Sequence, residues 1–191
     1  MNWMHSLAIA NQHFRANASR SQRPVARLPG ERAVITCMDP RVNLAAIGVP
    51  PFDADGAQDC GVRIIRSLGA RHEPRSLAVA IHLAGIREIL VLMHTDCGCA
   101  LAHHKCDVIA DSLRSRLDAG QLGLLTAELG GLEERELRIW LRSFSDVEAA
   151  VVDEVETIRS LSLVPADVVV HGAVYELDSG EVRVVVDGHR R

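Results

Sequence analysis

Cysteine, aspartate and arginine alternate in Cys37-Met38-Asp39-Pro40-Arg41, and a histidine stands three residues before a cysteine in His94-Thr95-Asp96-Cys97-Gly98. Two thiolates and one imidazole are the soft donors zinc(II) prefers, and a set of three leaves one tetrahedral position open. Thiolates at Cys37 and Cys97 would cancel the metal's formal charge, so such a site can sit partly buried. Water in the open position would have its pKa lowered toward neutrality. Asp39 could then accept a hydrogen bond from the bound hydroxide and fix its direction. Arg41 could hold Asp39 in a bidentate pair. Unheld, Asp39 could instead become a fourth ligand and close the site.

Those residues need elements that bring them to one place. Ala33–Thr36 is a short apolar run that ends at Cys37, and Ile89–Met93 is another that ends at His94. Short, partly β-branched runs bounded by charge read as buried parallel strands. Ligands bind at the carboxyl ends of such strands in open α/β sheets. Gly61–Arg66 and Val168–Val170 read as further strands, and Tyr175–Val186 as a hairpin turning at Asp178-Ser179-Gly180. Between them lie helical patterns: Pro74 to about Gly85, Gly98–Asp118 with a break near Cys106, and Leu132–Arg142. A last helix over Val147–Ile158 is opened by a capping box at Ser145 and Glu148. Asp96 is placed to cap the helix starting near Gly98. The alternation predicts an α/β fold: four mostly parallel strands, an antiparallel edge strand and helices on both faces. Residues 3–18 read as an amphipathic N-terminal helical arm, joined by a linker to a single domain; arm and linker occupy 1–30 of 1–191.

Composition excludes several classes. A net charge of −4 gives no general attraction to nucleic acid, and 3% aromatic residues leave little for base stacking. No apolar run approaches the roughly 20 residues of a membrane span. The first 20 residues lack a basic start followed by an apolar block, so no secretory signal is expected and a cytoplasmic location is. Five unevenly spaced cysteines argue against a disulfide framework. Other readings of the same residues stay open. Cys37 and Cys97 could be buried structural thiols. A closed, non-catalytic zinc could merely stabilise the protein. Cys97 and Cys99 could form a redox pair, and Cys97, Cys99, His103, His104 and Cys106 a local metal cluster. His171 reads as a core histidine.

Taken together, Cys-x-Asp-x-Arg at 37–41 and His-x-x-Cys-Gly at 94–98 resemble the β-class carbonic anhydrases. Ile64-Ile65-Arg66-Ser67-Leu68-Gly69, Ser76–Met93, His171–Tyr175 and Ser179-Gly180 follow in that family's order, so the resemblance spans about 31–187. It implies one zinc(II) per chain on Cys37, His94 and Cys97, with Asp39 and Arg41 as the catalytic dyad and Asp39 a fourth ligand only in a closed state. It implies reversible hydration of carbon dioxide to bicarbonate in a homodimer or homotetramer. Relatives hydrolyse carbonyl sulfide or carbon disulfide on the same kind of metal site, which makes that the nearest alternative. Three departures bear on substrate: Pro40 for a common serine, Ser67-Leu68 for Asn-Ala, and Cys99 for a small or thioether residue. Phe52, Val62 and Leu68 are candidate pocket walls.

Overall fold

The computed structural model describes residues 3–17, 30–49 and 61–190. Its strands are β1 (Arg32–Cys37), β2 (Arg63–Ser67), β3 (Glu88–His94), β4 (Val169–Tyr175) and β5 (Val182–Val186). They form one sheet in the order β2-β1-β3-β4-β5. The first four are parallel and β5 is an antiparallel edge strand. β3 lies at the centre with parallel neighbours on both sides. Ile89, Val91, Leu92 and Met93 are all buried there, which is why this strand reads as an unbroken apolar run. β4 is longer than the Val168–Val170 run suggests, because it continues through His171-Gly172 into Tyr175.

The helices are α1 (Trp3–Asn17), α2 (Pro74–His82), α3 (Gly98–His104), α4 (Cys106–Arg116), α5 (Ala119–Leu129), α6 (Glu134–Leu141) and α7 (Val147–Ser160). α7 packs on β3, β4 and β5. Its approach to β4 requires a glycine: a Cβ on Gly172 would lie 2.4 Å from Val151 Cγ1. On the other face the 3-10 turn Leu44–Ile47 and Val49 border a cavity of about 370 Å³ with Val34, Leu90 and Val184.

Three local expectations are corrected. The N-cap of α7 is Asp146, whose carboxylate accepts the Glu148 and Ala149 amides, so the Ser145–Glu148 capping box does not form. Asp96 does not cap α3; Cys97 is the cap and its sulfur accepts the Cys99 amide. A whole helix, α5, stands where none is expected. Its opening carries a true capping box between Asp118 and Gln121, a signal present in the sequence but masked by Gly120 and Gly123, both poor helix residues. Helices α4–α6 enclose a small apolar cluster of their own around Cys106, Ala110, Leu132 and Leu137. On α1, Trp3, Met4, Leu7, Ile9 and Phe14 are exposed.

Candidate metal centre

Parallel pairing decides where the chemistry gathers. β1 and β3 run side by side with Thr36 opposite Leu92, so Cys37 and His94 emerge from the same end of the sheet. Cys97 follows at the N-cap of α3. One donor atom from each of the three residues lies within 4.8 Å of the others, and all three residues are buried. The two sulfurs are 3.8 Å apart. Two zinc–sulfur bonds of about 2.3 Å at a tetrahedral angle span about 3.8 Å, so the sulfurs already stand at the separation such an ion needs.

His94 is oriented for the same purpose. Its Nδ1 lies 2.8 Å from the Thr95 carbonyl oxygen, which can only accept, so Nδ1 carries the proton and Nε2 bears a lone pair. That Nε2 is buried without a hydrogen-bond partner. Buried polar atoms are nearly always paired, and a histidine whose other nitrogen donates to a backbone carbonyl is the usual form of a metal ligand. The donor set therefore fits zinc.

The two thiols are close enough to affect each other's ionisation. The pairing with Cys97 holds the Cys37 thiol below the usual thiol range, against the opposing effect of burial. The backbone at Asp39 and Gly69 acts in the same direction. Cys97 is pushed up by the same pairing with Cys37, and by burial.

Beside the donors, Arg41 holds Asp39. Its Nε donates to both carboxylate oxygens at 3.0 and 3.2 Å, its Nη2 to one of them at 2.7 Å, and its own amide to Oδ1 at 2.9 Å. These bonds keep the Asp39 carboxyl well below the usual carboxylate range. Arg66 fixes the loop from behind, donating to the carbonyls of Cys37, Asp39 and Val42.

A buried ionic cluster backs the centre. Glu154, fully buried on α7, accepts from Arg71 Nη1 at 2.8 Å, Arg142 Nη2 at 2.7 Å and the His72 amide at 2.6 Å. Arg71 also donates to the Arg142 carbonyl and lies over the Phe144 ring. Phe144 and Cys99 in turn close on Gly69, whose φ is +60°. A Cβ there would fall 2.7 Å from the Cys99 sulfur. Gly69→Ala is expected to cost roughly 2–4 kcal/mol in urea unfolding, from left-handed strain and overpacking together.

The remaining candidates separate. Leu68 is half-buried next to Gly69, beside the centre. Val62 stands at the opposite end of β2 and lines the 370 Å³ cavity, which none of Cys37, His94 and Cys97 borders; the parallel register carries Ser67, not Val62, to Cys37. Phe52 lies outside the described residues. The local His/Cys cluster does not converge: Cys106 Sγ donates to the Ala102 carbonyl, and His103 pairs with Ser143. His171 is half-buried and pairs with Glu88, and with His189 it makes a second group of potential donors. There the Gly188 amide points at His171 Nδ1, so Nε2 keeps its proton and donates to Glu88. Sequence reasoning missed Glu154, although it falls at helical spacing on the apolar face carrying Val147, Val151 and Ile158.

The family model for carbonic anhydrase matches residues 32–182. The chain belongs to the β-carbonic anhydrase family. It is 30% identical to YvdA of Bacillus subtilis, a carbonic anhydrase by its provisional name, over 99% of this chain and 95% of that protein. It is 26% identical to the carbon disulfide hydrolase of Saccharolobus solfataricus, over 91% of this chain and 87% of that enzyme. The crystal structure of β-carbonic anhydrase isoform I from Trichomonas vaginalis superposes with a TM-score of 0.74 at 23% identity, covering 98% of this chain and all of that one. β-Carbonic anhydrases use zinc, and the Cys37, His94 and Cys97 triad is one that could bind a metal ion. None of the helices described is long and apolar enough to cross a membrane.

Proposed function

We propose that this β-carbonic anhydrase family member catalyses the reversible hydration of carbon dioxide, with one zinc per chain held by Cys37, His94 and Cys97. The observation that carries the reading is the orphaned Nε2 of His94 facing two sulfurs 3.8 Å apart, with Asp39 held beside them by Arg41. Bound there, zinc would acidify a coordinated water and supply the nucleophile for the substrate carbon. The chain's own residues do the rest. Arg41 occupies the Asp39 carboxylate, so that Asp39 orients a proton by accepting a hydrogen bond rather than taking up the fourth coordination position. Arg66 keeps the carbonyls of the loop turned away from the centre. Pro40 stiffens the backbone between the two dyad residues. The exposed apolar residues of α1 suit an arm laid on a second copy, and we expect a dimer or tetramer working in the cytoplasm.

The alternative substrates are carbon disulfide and carbonyl sulfide, favoured by the likeness to enzymes named carbon disulfide hydrolases. Zinc content and stopped-flow carbon dioxide hydration, measured on one preparation across about pH 7 to 9, test the reading. One zinc per chain with rapid hydration is expected. One zinc with no hydration but rapid sulfide release would transfer the activity to the sulfur substrates. One zinc with neither would make the site structural, and no zinc would overturn the ligand set.

A further inference from the structure

Arg41 has two carboxylate partners, and only one of them belongs to the dyad. The edge formed by its Nε and Nη2 faces Asp39. At its other edge Nη1 donates to Asp96 Oδ2 at 2.7 Å and Nη2 to the Asp96 carbonyl at 2.9 Å. A guanidinium can serve both because its donors form a planar fork. Asp96 adopts φ +52°, a left-handed conformation that disfavours L-residues but that aspartate and asparagine tolerate. It is this turn that aims both the carbonyl and the carboxylate at Arg41. The carboxylate has no other duty, since the N-cap of α3 is Cys97.

We propose that Asp96 is a positioning residue that holds Arg41 against Asp39 and so keeps Asp39 out of the metal's coordination sphere; this rests on the zinc site proposed above. The restraint is steric and entropic. The Arg41 side chain is 51% exposed. A long side chain standing in water has many rotamers, and one carboxylate at one edge restrains few of them. A second anchor at the opposite edge leaves one orientation. Asp96 lies between His94 and Cys97, whereas Arg41 lies just beyond Cys37. The pair therefore braces the two loops that carry the three donors. The Asp96 side chain is 80% exposed, so replacing it opens no cavity and the fold survives.

The test uses the whole protein loaded with zinc for kinetics and with cobalt(II) for its visible spectrum. Asp96→Ala is expected to stay folded with one metal per chain, its melting temperature lowered by a few degrees because alanine is strained at positive φ. It should lose about tenfold in kcat, with KM little changed. Its cobalt spectrum should change as the Asp39 carboxylate enters the coordination sphere. Asp96→Asn should restore both properties, because its amide oxygen still accepts from Nη1 and asparagine is at ease at positive φ. The double variant Asp96→Ala with Asp39→Asn should return the spectrum toward that of the parent. An unchanged spectrum in Asp96→Ala, or an altered one that the double variant does not reverse, overturns the proposal. If the parent turns over neither carbon dioxide nor the sulfur substrates, the functional reading fails, while the cobalt spectra still decide the role of Asp96.

Discussion

Cys97→Ser is expected to give a folded protein that retains less than about a tenth of its zinc after dialysis against a chelator and loses at least about 100-fold in turnover. The substitution separates two roles of one residue. As an N-cap, Cys97 accepts the Cys99 amide through its sulfur, and serine is among the best residues for that position. As a donor, the thiolate is soft and anionic, whereas a serine hydroxyl stays protonated and binds zinc poorly. The two sulfurs also neutralise the ion's charge in a buried site; with one gone, a net positive charge would be left where all three donor residues are buried. Metal content by atomic absorption and unfolding of the metal-free forms by urea check the two halves. Equal stability of the metal-free proteins with a collapse in zinc content is the expected pair of results. Full zinc occupancy in the variant would remove Cys97 from the ligand set.

Glu154→Ala should be the most destabilising change outside the donor residues, costing about 3–5 kcal/mol at neutral pH. It would strand Arg71, Arg142 and the His72 amide around a buried space with no anion. Glu154→Gln tests the charge with the volume kept, and its effect depends on pH. Burial raises the Glu154 carboxyl, but the His72, Arg71 and Arg142 donors outweigh it and bring the group down from 4.5 to about 2. A carboxyl lowered on folding contributes its full stability above its unfolded pKa and loses it as pH falls through the folded one. The gap between the parent and Glu154→Gln is therefore largest above about pH 4.5. It should shrink by about 3 kcal/mol as pH falls toward 2. Urea unfolding at several pH values between 2 and 7 measures it; a constant gap would mean that the charge contributes nothing.

The parts of this architecture that could be read in advance are those set by local pattern. β3 announces itself because a central parallel strand has no polar face. Cys37 and His94 could be placed together because each follows an apolar run, and strands of one parallel sheet deliver their ends to one edge. The misreadings have physical causes as well. Asp96 looks like a cap because aspartate before a helix usually is one; Arg41, which claims it, is 55 residues away in the chain. Ser145 has the right spacing for a capping box, but Asp146 is one residue nearer and its carboxylate reaches two amides. The place of Val62, at the end of β2 remote from Cys37, depends on the register of β2 on β1, which a single strand's pattern does not show. Glu154 was visible as the one acid on an apolar helix face, although its cationic partners come from the turns after β2 and α6.

The separation of 60 residues between Cys37 and Cys97 also bears on how the protein is assembled. In an unfolded chain His94 and Cys97 are neighbours, but bringing Cys37 to them means closing a long loop at an entropic cost. That closure is supplied by the pairing of β1 with β3, a non-local contact of the kind that forms slowly. Strong zinc capture must then follow the central strand pairing rather than nucleate it. A chain that slipped one residue in that register would turn Cys37 to the opposite face of the sheet while its helices persisted. Zinc retention is in this sense a gauge of native strand alignment, more discriminating than helical content.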